Sequence, residues 1–291
     1  MNNINTLKIT NNILKKYNIF AKKSFGQNFL IDDTILQKIV NSSNIEKDEL
    51  IIEIGPGLGN LSKYILDKAT YTVLVEIDNR MIQILTDRFK DKCNNYCLIN
   101  EDVLKINIDE LINKIEIDKN IKFTSVKVIA NLPYYITTPI LFKLLQESSR
   151  INEINVMVQK EVAKRMVAEK KSKDYGILTL MVKYLTDANI VVDVDRTSFI
   201  PAPNVDSAVI KLIKNKKYIV NNEKVLFDLI HMAFAQRRKK MINSLVSNKF
   251  MNLSKEEFEQ IFLSLDLSVN TRAEELELTD YINIVNCIIK K

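Results

Sequence analysis

The sequence holds one histidine, His231, and three cysteines, Cys93, Cys97 and Cys287, among 291 residues. An odd number of sparse thiols does not make a disulfide framework. Cys93 and Cys97 lack the second Cys or His pair that a tetrahedral zinc site needs, so no metal is expected. No apolar run approaches the ~18 residues that cross a bilayer. The first twenty residues show no uninterrupted apolar core, no small-residue cleavage pattern and no Arg. They read neither as a signal peptide nor as a mitochondrial presequence. The expectation is therefore no membrane association and a cytoplasmic location.

What is present is an ordinary balance for a folded chain, 46% hydrophobic and 27% charged. The length suits one large domain and a smaller one. Net charge is +6, unevenly spread. Residues 160–173 carry six basic and two acidic side chains, hence +4, and residues 236–249 carry five basic and none acidic, hence +5. Together these make +9 against a total of +6, which leaves −3 on the rest. Basic charge gathered into two segments of an otherwise acidic chain points to a polyanionic partner.

Short β-branched runs alternate with helical patterns through the first two-thirds. Strands are predicted at 50–54, 71–77, 96–99, 126–130, 154–158 and 190–194, with helices between them at 58–67, 79–89 and 139–146. This alternation predicts an α/β, Rossmann-like, mostly parallel sheet covered on both faces. Residues 207–213 follow a proline-containing loop too short for a crossover, so that strand is expected to run antiparallel. Residues 106–125 look long for one crossover, with a short helix at 109–115. After Lys217 only helical spacing remains, at 226–235, 239–246, 255–263 and 279–289. Ser254 and Glu257 form a capping-box pattern, and Thr279 is a candidate cap for the last helix. The expected division is 1–217 and 218–291, the second part a small all-α domain.

The strongest local motif is E-I-G-P-G-L-G, from Glu53 to Gly59. An apolar strand enters three alternating glycines and a helix follows, as in turns that bring a ligand against the backbone. The dinucleotide pattern G-x-G-x-x-G wants its third glycine where Asn60 stands. With that glycine one residue early, at Gly59, a nicotinamide cofactor is disfavoured. S-adenosylmethionine carries no pyrophosphate and fits the Gly55 and Gly57 turn better. Glu76, about 20 residues on, is placed to take the ribose hydroxyls, and Asp102 to accept from an adenine amine.

Asn131-Leu132-Pro133-Tyr134 follows the fourth strand, at the edge where open α/β sheets bind ligands. An adenine amine is a poor nucleophile, because its lone pair is delocalised into the ring. Acceptors aimed at its hydrogens, the Asn131 side-chain oxygen and the Leu132 carbonyl, would favour pyramidalisation. Pro133 stiffens the turn, and Tyr134 offers a face for a base, worth ~1–3 kcal/mol. No general base is required, so the missing histidine is no objection. His231 is expected to be a packed helix residue.

The sequence resembles the KsgA/Dim family of ribosomal small-subunit RNA adenine dimethyltransferases, sister to the erythromycin-resistance RNA methyltransferases. The resemblance runs through K-K-S-F-G-Q-N-F-L-I-D from Lys22, the glycine turn, V-E-I-D ending at Asp78, E-D-V-L from Glu101 and N-L-P-Y-Y-I-T-T-P-I from Asn131. It continues with M-V-Q-K-E-V-A-K-R-M from Met157, Y-G-I-L-T from Tyr175, F-I-P-A-P-N-V-D-S-A-V from Phe199, A-F-A-Q-R-R-K from Ala233 and R-A-E-E-L from Arg272. Phe25, where many relatives have Leu, and Thr137-Thr138, where Ser-Thr is frequent, are mild departures.

The resemblance implies a class I methyltransferase sheet, with Asn28, Leu30, Gly55, Glu76, Asp102 and Asn131 on the cofactor. It implies that Asn131, Tyr134 and Phe199 hold an extruded adenine, with Phe199 facing Tyr134 across the base. The implied substrate is a pair of neighbouring adenosines in a hairpin loop near the 3′ end of 16S rRNA, inside an immature small subunit. A monomer without an obligate protein partner is expected.

Arg237, Arg238, Lys239 and Lys240 are the candidate phosphate contacts, with Lys164 and Arg165 secondary, as two basic helical faces on different domains. Two rivals belong to other classes of activity: methylation of a single adenine in large-subunit RNA, disfavoured by Leu132 and Q-R-R-K, and a non-enzymatic nucleic-acid-binding factor on the same fold.

Overall fold

The computed structural model describes residues 5–19, 27–91, 94–215 and 217–290. Lys22 to Gly26 of the first matched motif, Phe25 among them, and Cys93 lie outside the described residues. In chain order the elements are α1 (Thr6–Lys16), β1 (Phe29–Leu30), α2 (Asp33–Ser42), β2 (Glu49–Ile54), α3 (Asn60–Leu66), β3 (Tyr71–Glu76), α4 (Asn79–Phe89) and β4 (Tyr96–Asn100). There follow α5 (Ile108–Lys119), β5 (Ser125–Asn131), α6 (Thr137–Glu147), β6 (Ile151–Gln159), α7 (Lys160–Met166), α8 (Ile177–Leu185), β7 (Thr186–Val194), β8 (Phe199–Ile200) and β9 (Ser207–Lys214). The last four are α9 (Glu223–Phe234), α10 (Met241–Ser247), α11 (Lys255–Ser264) and α12 (Leu278–Ile289).

The seven-stranded sheet has the order β4-β3-β2-β5-β6-β9-β7, and β1 pairs with β8 apart from it. β2 lies between β3 and β5, parallel to both, while β9 runs antiparallel to β6, the direction expected for 207–213. β2 and β3 are buried at every position, the signature of strands covered on both faces. A buried polar ladder crosses one end of the sheet. Lys127 Nζ meets Glu49 Oε2 at 2.8 Å and the carbonyls of Ser43 and Asn44, while Lys211 bridges Glu153 and the carbonyl of Ser42. These lysines satisfy the carbonyls that the end of α2 leaves unbonded.

α5 fills most of 106–125 and is twelve residues long rather than a short helix, a normal length for a crossover between parallel strands. α1 had no counterpart in the sequence reading. Tertiary contacts hold it: Thr6 N–H donates to Asp33, Thr10 accepts from Asn60, and Tyr17 donates to Asp87.

Two compact units emerge, 1–163 with 189–214, and 164–188 with 215–291. Segment 164–188 therefore joins the helical unit, although the sequence put it before the boundary at 217. Tyr175, Leu180 and Tyr184 belong to the same core as Leu226, Phe258 and Tyr281, and the Tyr175 hydroxyl donates to the Leu276 carbonyl at 2.8 Å. Lys164 and Arg165 are thus in the same unit as Arg237 to Lys240, not on a different domain.

The capping box of Ser254 and Glu257 is present on α11. At α12, Glu277 holds the cap position, its N–H donating to Asp280 Oδ2 at 2.8 Å, and Thr279 sits inside the helix. His231 is exposed on α9, because the helix buries Leu226, Leu229, Ile230 and Ala233 instead. Among the described residues no helix is long and apolar enough to cross a membrane.

Candidate functional site

Strand order creates the site. The chain runs outward from β2 through β3 to β4 and then crosses back to β5 on the other side of β2. Open α/β sheets bind ligands at such a reversal, beyond the strand carboxyl ends. Ile54 pairs with Val75 and with Ala130, so Gly55, Glu76 and Asn131 emerge side by side. A Cβ built on Gly55 would lie 3.9 Å from the Asn131 carbonyl. A single cavity here is lined by Gln27, Asn28, Phe29 and Leu30, by the turn 53–58, by 75–78, by 101–103 and by 131–136.

The glycine turn is fixed by its neighbours. Gly55 N–H donates to the Val75 carbonyl at 2.9 Å, and Gly57 N–H to Glu76 Oε2 at 3.0 Å. Gly59, at φ 77°, has no room for a side chain: a Cβ would approach Phe89 to 2.8 Å and Leu85 to 2.9 Å. The early third glycine thus serves the packing of α3 on α4. Asn60, the first residue of α3, donates to the Thr10 hydroxyl and the Leu30 carbonyl, each at 2.9 Å, and accepts from Arg88 at 3.0 Å. Arg88 also bonds the Leu58 carbonyl. One buried amide therefore ties α1, β1 and α4 to the turn.

Glu76 accepts from the N–H of Gly57 through one oxygen and of Asp78 through the other. Burial raises its pKa, against the lowering effect of these backbone donors. Asp102 accepts from Leu104 N–H through Oδ1 at 3.0 Å. Asp78 is paired with Arg80 at 2.5 Å and accepts from Gln27 at 3.0 Å.

On the other wall the Asn131 amide nitrogen donates to the Asn28 carbonyl at 3.4 Å, which leaves Oδ1 as its acceptor. Leu132 is buried. The Pro133 carbonyl accepts from Ile136 N–H and the Thr137 hydroxyl, both at 3.1 Å, closing the turn. The Tyr134 hydroxyl meets Ser207 Oγ at 2.7 Å, which pins a half-buried ring to the start of β9. Burial raises its pKa, so the phenol stays neutral.

The wall has one electrostatic property that no single residue reveals. Five carboxyl side chains line it, Glu53, Glu76, Asp78, Glu101 and Asp102, and no Lys, Arg or His among the described residues does.

Asn28, Leu30, Gly55, Gly57, Glu76, Asp102, Asn131, Leu132 and Tyr134 are thus brought together on one cavity. Phe199 is not on its wall. It is 3% exposed, paired with Leu30 in the short β1–β8 ladder, and packed among Ile35, Ile39, Val194 and Val209. Its expected place opposite Tyr134 yields to core packing, which buries an aromatic ring wherever a strand carries it inward.

Nor is Arg237 an open cation. It donates to Glu274 at 2.5 Å and to the carbonyls of Lys173 and Ser172 at 2.7 and 3.0 Å. Lys240 bonds Asn270 at 2.5 Å, while Arg238 and Lys239 are exposed. These four lie in the turn before α10 rather than on a helical face. Lys164 and Arg165 are exposed on α7.

The sequence reading missed Glu53, Asn60, Arg88 and Ser207. Glu53 alone carried a signal, a carboxylate inside the otherwise apolar run 50–54; the others matter only through their partners.

Comparison with known proteins agrees with this geometry. The family model described as ribosomal RNA adenine dimethylase matches residues 18–290. A ribosomal RNA small subunit methyltransferase A of Lachnoclostridium phytofermentans is 42% identical over 98% of this chain and 97% of its own length. One of Clostridioides difficile is also 42% identical, over 100% of this chain and 99% of its own length. A dimethyladenosine transferase from Plasmodium falciparum superposes with a TM-score of 0.77 at 26% identity, covering 90% of this chain and 98% of that one. The 23S rRNA methyltransferase ErmE shares the fold, with a TM-score of 0.65 at 21% identity, covering 90% of this chain and 100% of that one. By the reach of the family model and the identity of these relatives, the chain belongs to the ribosomal RNA adenine dimethylase family.

Proposed function

We propose that the protein transfers methyl groups from S-adenosylmethionine to the N6 amines of two adjacent adenosines in a hairpin loop near the 3′ end of 16S rRNA, twice on each. The observation that carries this reading is the acid cavity with Asn131 and Tyr134 in its wall. S-adenosylmethionine is cationic at sulfur and at its amino group, and a wall of carboxyl groups attracts it. The same wall repels a pyrophosphate, which counts against a nicotinamide dinucleotide as the Gly59 spacing does.

When bound, this cofactor supplies a methyl group made electrophilic by the sulfonium. The chain does the rest by orientation. Glu76 has lone pairs left for ribose hydroxyls and Asp102 has Oδ2 for the adenine amine. Gly55 and Gly57 let the ligand approach the backbone. Leu30 and Asn28 close the side by β1. Asn131 Oδ1 and the Leu132 carbonyl accept from the two hydrogens of the target amine, freeing its lone pair for in-line attack. The amine proton leaves readily once the nitrogen is cationic, so no base is assigned. Tyr134 stacks on the extruded base, whose unstacking costs ~a few kcal/mol.

Unit 1 carries this chemistry, and the helical unit grips the RNA. Arg238, Lys239 and Lys240 are the proposed phosphate contacts, with Lys164 and Arg165 of the same unit as secondary ones. The substrate is the RNA within an immature small subunit, met in the cytoplasm by a monomer that needs no obligate protein partner.

The deciding experiment is mass spectrometry of ribosomal RNA from cells with and without the gene. Two dimethyladenosines in 16S rRNA are expected to disappear on deletion and return with the wild type but not with Asn131→Ala. Restoration of a modification in 23S rRNA alone would overturn the assignment in favour of the large-subunit reading.

A further inference from the structure

The five carboxyl groups of the cavity are not equivalent. Asp78 has Arg80, Glu76 has two backbone N–H donors, Asp102 has that of Leu104, and Glu101 is exposed and accepts from Asp102 N–H. Glu53 has none of these. It stands on β2 between Ile52 and Ile54, is 2% exposed, and its Oε2 is buried without a hydrogen-bond partner. An isolated carboxylate in such a place is strongly disfavoured, and taking up a proton relieves it.

The groups around Glu53 do not reverse this. Ser62 of α3 and Arg88 of α4 favour its charged form, and Glu76 at the tip of β3 opposes it. Arg88 is itself engaged with Asn60 and the Leu58 carbonyl. Ile129, the partner of Glu53 on β5, carries no charge. Burial outweighs them all and pushes the Glu53 carboxyl up to about 8.

We propose that Glu53 is a neutral acid in the empty cavity, and that entry of the cationic cofactor displaces its proton and makes it the counter-ion of the ligand's positive charge. The inference rests on the cofactor assigned above. The step is a simple exchange: the Glu53 O–H bond breaks, its proton goes to the buffer, and the carboxylate faces the ligand cation. The sulfonium and the amino group of the cofactor are the two candidates for that cation.

Calorimetry of S-adenosylmethionine binding to the full chain, in buffers of different ionisation enthalpy at pH 7, reads the displaced proton directly. About one proton released per site is expected for the wild type, and about none for Glu53→Gln. In the wild type alone, affinity should rise about tenfold per pH unit between pH 6 and 7.5, which keeps the test independent of how the variant folds. S-adenosylhomocysteine, which lacks the sulfonium, separates the two sources. Proton release with both ligands assigns the amino group, and release with S-adenosylmethionine alone assigns the sulfonium. Wild-type binding without proton release, or unchanged release in Glu53→Gln, overturns the inference and leaves the cofactor reading intact. No binding of S-adenosylmethionine to the wild type overturns both.

Discussion

The N–H of Gly57 donates to Glu76 Oε2 at 3.0 Å, so the carboxylate at the tip of β3 and the turn after β2 form one rigid piece. Glu76 also holds Asp78 N–H at 2.9 Å, where α4 begins. A carboxylate suits this position because both of its oxygens accept. Glu76→Gln turns one acceptor into a donor facing a backbone N–H. Cofactor affinity should fall by about 10- to 100-fold, from ~1–3 kcal/mol of lost and opposed hydrogen bonding. Titration calorimetry beside a circular dichroism melt checks it; unchanged affinity in a folded variant would remove Glu76 from the site.

Phe199 is a packing residue in this structure. Phe199→Ala should destabilise unit 1 by ~3–5 kcal/mol, the usual result of emptying a buried aromatic site. Phe199→Leu should recover most of that loss. Denaturant unfolding followed by circular dichroism measures both, since the chain has no tryptophan to report by fluorescence. If Phe199→Ala keeps full stability yet loses RNA affinity, the ring belongs at the base after all.

The two neighbouring arginines should behave differently. Arg237 clips residues 172–173 and Glu274 together, so Arg237→Ala should lower stability by ~1–2 kcal/mol, a value reduced because the pair is partly exposed. Arg238→Ala with Lys239→Ala should change stability by less than ~0.5 kcal/mol each. Their effect belongs on RNA binding, with the slope of log affinity against log salt falling by ~0.7–0.9 for each phosphate no longer neutralised. Filter binding over a salt series separates the two behaviours, and an unchanged slope in the double variant would exclude these side chains as RNA ligands.

Gly59→Ala combines a left-handed backbone with a close approach to Phe89. The backbone alone costs ~1–2 kcal/mol. Adding Phe89→Leu should relieve part of the remainder, and a double-mutant cycle in thermal melts gives the coupling. Full additivity would mean that the ring is not what excludes a side chain there.

Stability in the absence of ligand should depend on pH through Glu53. Its carboxyl, raised to about 8 in the folded state from an ordinary value of 4.5, binds a proton that the unfolded chain has already released above pH 4.5. The contribution is full below about pH 4.5 and is lost as pH rises through about 8. Melting midpoints of the wild type should therefore decline across that window relative to Glu53→Gln. Parallel curves for the two proteins would place the proton elsewhere.

Residues whose placement follows from chain position were readable in the sequence. Gly55, Glu76, Asp102 and Asn131 each end a strand or follow one closely, and parallel strands deliver their carboxyl ends to one edge whatever the surrounding side chains. The alternation of strands and helices set the α/β layers for the same reason, since hydrophobic period and crossover length are local properties. Tertiary structure alone decided the rest. Whether Phe199 faces a ligand or the core depends on how β8 meets β1. Whether Arg237 is open or engaged depends on the distant loop that carries Ser172 and Lys173, and whether 164–188 belongs with the helices depends on which core takes Tyr175. The protonation of Glu53 is of the same kind, because a carboxyl group's charge is set by the burial and the neighbours that folding assembles around it.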